Sequence, residues 1–134
     1  MTRNLILGLT ATSLVLGGAG VALAQGPSLA MLQKLDRGNW DIRYRGAAGD
    51  VTNLCLARGT ELIQLSHRRQ NCSRVVVAGS DKQVTVQYTC PGKGYGRTTV
   101  RREASNLVQI DSQGIENGLP FAYSAEARRT GACR

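Results

Sequence analysis

His67 is the chain's one histidine, set in Ser66-His67-Arg68-Arg69 at the end of an expected short helix. In a basic protein a lone imidazole among arginines would suit a phosphodiester hydrolase, with His67 moving protons and arginine steadying the phosphate. That chemistry needs a second positioned group, and the local sequence supplies none. There is no Gly-x-Ser-x-Gly elbow for a triad. The nine carboxylates show neither paired-acid nor calcium-loop spacing. Gly92-Lys93-Gly94-Tyr95-Gly96 lacks the spacing of a phosphate-binding loop and joins two strands rather than feeding a helix. A histidine near a helix C-terminus is favourable there simply as a cation. Nothing implies a cofactor or a metal.

Arginine is the more informative residue. Lys and Arg total 17 against nine acids, for a net charge of +8. A positive surface favours anionic partners and also keeps a small protein soluble. Arg43 and Arg45 alternate with Trp40, Ile42 and Tyr44, so they share the polar face of one strand. Arg97 and Arg101 share a face of another, interrupted by Thr99. Arg43, Arg45 and Arg101 are the candidate anion-binding residues. Nucleic acid is the poorer fit, because it wants aromatics interleaved with the cations. Here Trp40, Tyr44, Tyr88, Phe121 and Tyr123 alternate mostly onto core faces, leaving Tyr95 free in a loop.

The four cysteines, Cys55, Cys72, Cys90 and Cys133, are even in number and lack a short zinc knuckle. They predict two disulfides. Residues 72–78 and 84–90 read as a hairpin around Gly79-Ser80-Asp81-Lys82-Gln83. Centred on Asp81, it sets Cys72 opposite Cys90, Arg74 opposite Tyr88 in cation–π reach, Val76 opposite Val86 and Ala78 opposite Val84. Directly opposed residues in an antiparallel pair lie within disulfide reach. That leaves Cys55 for Cys133.

The elements positioning these residues are short. Arg3, the uncharged apolar stretch from Leu5 to Val21 and Ala22-Leu23-Ala24 have the three parts of a secretory signal. Residues 1–24 are therefore read as a signal peptide cleaved after Ala24, rather than an anchor. Residues 25–37 hold a short helix capped by Ser28, with Leu29, Met31, Leu32 and Leu35 on its apolar side, and a linker. Residues 38–134 form one domain. Strands are expected at 39–45 and 51–56, around a turn at 46–50. A short helix capped by Thr60, with Glu61 in its first turn, ends near His67. After the cysteine hairpin, residues 91–96 read as a loop, with strands at 97–103, 106–112 and 120–129. Gly114 and Glu116-Asn117-Gly118 punctuate the connection between the last two. The expected fold is mainly β: an antiparallel meander, as a strongly curved sheet or small open barrel, with one or two short helices and two disulfides.

The Gly38-Asn39-Trp40-Asp41 opening strand, a cysteine leading into a short helix (Cys55 to Leu65), the Cys72–Cys90 hairpin and the closing Gly131-Ala132-Cys133 together resemble the domain-of-unknown-function 3617 family. Those are small exported proteins of Gram-negative bacteria. Asp41 stands where glutamate is commoner. The resemblance implies export and four paired cysteines, and supplies no activity and no functional residues. The functional expectation is a non-enzymatic periplasmic domain that binds or scaffolds, meeting an anionic envelope component through its basic surface, and not an integral membrane protein. The alternatives are a barrel-like binder of an apolar ligand and a hydrolase using His67.

Overall fold

The computed structural model describes residues 26–46 and 50–134. The expected signal peptide, its cleavage point and residues 47–49 of the first turn lie outside the described residues. Seven strands form one antiparallel sheet: β1 (Gly38–Tyr44), β2 (Val51–Leu56), β3 (Ser73–Gly79), β4 (Gln83–Cys90), β5 (Gly94–Ala104), β6 (Leu107–Glu116) and β7 (Leu119–Gly131). Their order is β2-β1-β7-β6-β5-β4-β3. The sheet is an open meander, with β2 and β3 as its two edges.

Consecutive β2 and β3 thus lie at opposite edges, so the segment 57–72 must cross the whole sheet. Six inter-strand steps span roughly 29 Å, well within the extended reach of this segment. The slack is taken up by 3-10 turns at Thr60–Leu62 and Leu65–His67, joined on the same face by a third at Ala30–Lys34. These turns bury Leu62, Ile63, Leu65, Met31, Leu32 and Leu35 against Trp40, Ile42, Val84, Val86, Val100, Val108 and Ile110 of the sheet. Ala125 and Ala127 of β7, small residues, stand opposite Tyr44 and Ile42. Each large side chain so buried contributes about 1.5–3 kcal/mol.

Buried polar groups pin the crossing segment. Thr98 Oγ1 donates to the Ile63 carbonyl at 2.6 Å and lies 2.7 Å from Ser112 Oγ. Gln64, 4 % exposed, donates to the His67 and Gln70 carbonyls at 2.8 and 2.9 Å. The turns are 3-10 rather than α; Ser28 Oγ accepts from the Ala30 amide at 3.4 Å, whereas the expected Thr60 cap does not form. Leu29 occupies the first cap position, and Gly59, with φ 84°, caps the second turn through its backbone. The Glu61 carboxylate reaches back instead, accepting from the Ala57 and Arg58 amides at 3.2 Å.

Both disulfides join the expected partners, Cys72 with Cys90 and Cys55 with Cys133. The expected hairpin register holds from Ser73 to Val76. It then shifts, so that Ala78 faces Thr85 and Gly79 faces Val84, not Ala78 facing Val84. The shift passes at Val77, an extra residue that bulges. The turn beyond it is closed by Ser80, whose Oγ accepts from the Gln83 amide at 3.1 Å. Arg74 does stand opposite Tyr88, yet its guanidinium donates to Gln64 Oε1 at 2.7 Å instead of serving the expected cation–π contact.

The loop expected at 91–96 is also corrected. β5 begins at Gly94, leaving only Pro91-Gly92-Lys93 as a turn. Gly96 and Gly114 are paired across β5 and β6. They serve close approach, because a Cβ on Gly114 would lie 2.1 Å from the Tyr95 carbonyl oxygen and one on Gly96 2.4 Å from the Tyr88 hydroxyl. Asn117-Gly118, with φ 49° and 82°, is a two-residue hairpin turn of the primed kind.

Two outcomes follow from these contacts. Gly114→Ala should lower stability by about 2 kcal/mol or more in urea unfolding, whereas Gly131→Ala, with nothing within 4 Å, should change it by about 0.5 kcal/mol at most. Under mild reduction Cys55–Cys133 should open first, because both its cysteines are exposed while Cys90 is 2 % exposed. Alkylation followed by peptide mass mapping reads the order.

Candidate binding face

His67 lies inside the fold. It is 2 % exposed. Its Nδ1 lies 3.1 Å from the Tyr88 hydroxyl and its Nε2 3.3 Å from the Lys93 carbonyl. A neutral imidazole that donates from Nε2 to the carbonyl and accepts at Nδ1 from Tyr88 satisfies both contacts. The seat exists because Gly94 and Gly96 carry no side chains: Cβ atoms there would crowd His67 and Tyr88. Edge-to-face packing on Tyr88 and a tilted contact with Phe121 complete the surroundings. With both nitrogens engaged and no solvent face, His67 is poorly placed to exchange protons with a bound phosphodiester.

The other face of the sheet carries the charge. Register lays its side chains out in rows that cross the strands. One row runs Arg43, Glu126, Gln109, Arg101, Gln83. Two residues along comes Ser124, Asp111, Thr99, Thr85. Then come Ala122, Gln113, Arg97, Gln87, and finally Pro120, Ile115, Tyr95, Thr89.

The candidate residues divide among these rows. Arg43 and Arg101 lie in the first, beside the Glu126 and Glu103 carboxylates. Arg101 pairs with Glu103 at 2.9 Å, Arg43 stands directly opposite Glu126, and Arg128 pairs with Glu126 at 3.4 Å. Gln109, 8 % exposed, links the group by donating to Glu103 and Glu126 at 3.3 and 3.2 Å. Arg45, just beyond β1, donates to Gln109 Oε1 and turns into a groove of about 760 Å³ lined also by Arg97, Thr99, Asp111, Gln113 and Ser124. The structure therefore brings Arg45 and Arg97 to one groove, and leaves Arg43 and Arg101 in the row of Glu126.

The sequence marks Arg97 only as sharing a strand face with Arg101, and does not mark Gln87 or Gln113 at all. A second depression, about 430 Å³, adjoins the groove and shares Arg97, Gln113 and Ala122 with it, adding Tyr95, Gln87 and Pro120. Among the described residues Arg97 has no acidic partner within ion-pair distance. The signal was present as a period of two in Tyr95-x-Arg97-x-Thr99-x-Arg101, hidden by reading Tyr95 into a loop. Among the described residues no helix is long and apolar enough to cross a membrane, no cysteine is free, and no cluster of three metal-ligating side chains occurs.

Comparison of the chain with protein-family models, with curated proteins and with solved structures finds no match.

Burial raises the Tyr88 phenol to about 12, and the Glu116 carboxylate adds to the effect. Burial raises Tyr123 as well, against a lowering by the Ser112 hydroxyl. A phenol raised in the folded state contributes stability that is whole below its ordinary value near 10 and is lost as pH climbs through the folded value. Stability should thus fall between about pH 10 and 12, and unfolding should release Tyr88 and Tyr123 to ionise. Tyrosinate absorbance followed beside far-ultraviolet circular dichroism should show the two events coinciding.

Proposed function

We propose that this chain is an exported, non-enzymatic binding or scaffolding domain whose basic sheet face meets an anionic component of the cell envelope. The observation carrying the reading is Arg97, exposed in a groove beside Arg45 and without an acidic partner among the described residues. An unpaired guanidinium on a rigid strand is a ready donor for a carboxylate or phosphate. Two disulfides support an oxidising compartment, as do the signal-like features of residues 1–24. The resemblance to the domain-of-unknown-function 3617 family, resting on Gly38-Asn39-Trp40-Asp41 and the four cysteines, supports the same address. The inner face, filled by Met31, Leu32, Leu62 and Ile63, favours this reading over an enclosed apolar ligand.

Retention on immobilised polyglutamate tests it, since that polymer offers carboxylates and little else. The protein should bind at about 20 mM salt and elute by a few hundred millimolar, as exposed charges are screened. An Arg45→Gln/Arg97→Gln double variant should elute earlier than Arg43→Gln/Arg101→Gln. Absence of retention at low salt would remove the electrostatic reading.

A further inference from the structure

We propose that the groove and its adjoining depression take an acidic saccharide, with the Arg97 guanidinium on a sugar carboxylate and the Tyr95 ring against the sugar's C–H face. The proposal rests on the anion-binding reading above and names its ligand. Tyr95, Arg97 and Thr99 project from one side of β5 at two-residue intervals, so their backbones lie about 7 Å apart. One pyranose unit spans that spacing, so stacking and charge recognition fall on the same or adjacent sugars. Tyr95 is 50 % exposed, an amphipathic ring offering a flat apolar surface to a ligand that is itself half apolar.

Arg97 is flanked on both neighbouring strands by amides, Gln87 on β4 and Gln113 on β6. An amide both donates and accepts, which matches hydroxyls. Thr99 and Ser124 extend that lining into the larger depression. Pro120 and Ala122, the β7 residues of these rows, are short and keep that wall low.

Asp111 discriminates among anions. Its carboxylate lies in the same groove and accepts from the Ser124 hydroxyl. A carboxylate there repels a further anionic group of the ligand and favours one that turns a hydroxyl toward it, so polyphosphate, which has no hydroxyl to offer, fits poorly. It accepts hydroxyls readily from a ligand carrying one carboxylate per sugar. Nucleic acid also wants successive stacking rings, and Tyr95 is the one aromatic among the exposed large apolar side chains of the described residues.

Calorimetric titration of the disulfide-bonded protein with oligogalacturonate, at about 50 mM salt, tests the assignment. The wild-type protein should bind it, bind a neutral cello-oligosaccharide far more weakly, and bind oligo-dT more weakly as well. Arg97→Gln should weaken oligogalacturonate about tenfold or more, as expected for loss of a charge-assisted contact. Tyr95→Ala should weaken it several-fold without changing the salt slope, because it removes no charge, and Tyr95→Phe should restore binding. Both positions are exposed, so each variant should keep the wild-type circular dichroism. No binding of oligogalacturonate, indifference to both substitutions, or oligo-dT binding as tightly would overturn the proposal. Retention on polyglutamate alongside any of those results would leave the broader anion-binding reading standing, and loss of that retention would remove both.

Discussion

An open sheet with one apolar face cannot stand in water uncovered, and here a single connection shares the cover with the N-terminal turn. Because β2 and β3 occupy opposite edges, the chain between them has to traverse the face that carries Trp40, Ile42, Val86 and Ile110. Every apolar residue on that path, from Leu62 to Leu65, becomes core. The crossing also decides the fate of polar residues caught beneath it. Gln64 folds back on its own turn and holds Arg74, while Thr98 reaches up from β5 to the Ile63 carbonyl. His67 is sealed between Tyr88 and the Pro91–Lys93 turn. Its burial follows from the route of the chain.

With one face closed in this way, the other is left open to solvent. Its residues are spaced by strand geometry: rows of side chains lie one pleat repeat apart, each row crossing four or five strands. The rows differ in kind. Opposite charges and Gln109 satisfy one another in the first, hydroxyls and Asp111 make up the next, and amides flank a lone guanidinium in the third. A surface graded like this discriminates by position as well as by charge. It also explains why a net charge of +8 says little by itself about where a ligand would sit.

Much of the architecture was legible from local pattern. The alternation in Trp40-Asp41-Ile42-Arg43-Tyr44 marked β1 and its buried side, and the symmetry of the cysteine hairpin specified both bridges. Local pattern failed where a residue serves a distant partner. Gly94, Gly96 and Gly114 carry the usual signature of loops, but two of them are glycine because β4, β5 and β6 approach closely around Tyr88 and His67. That misreading shortened β5 and β6 and placed Tyr95 off the sheet. The Val77 bulge was equally hidden, since SRVVVAG alternates no differently with or without an extra residue. Of the candidate site, Arg45 was legible from β1 alone. Arg97 needed the cross-strand register, because only its neighbours Gln87 and Gln113 distinguish it from Arg101 beside Glu103.

The position of β7 has a temporal side. It is the last strand along the sequence, yet in space it stands between β1 and β6, joining an N-terminal hairpin to a four-strand meander. Until β7 is present, no strand of one half pairs with a strand of the other, and Trp40 and Ile42 lack the strand that should lie beside them. Pairing β1 with β7 closes a long loop, the step that slows β proteins most. The Cys72–Cys90 hairpin, spanning 18 residues, can oxidise from local encounter, whereas Cys55 and Cys133, separated by 78, meet only once that seam has formed. A chain delivered N-terminus first through a membrane pore would therefore spend its transit as two unfinished pieces, with the order of its disulfides recording the order of its assembly.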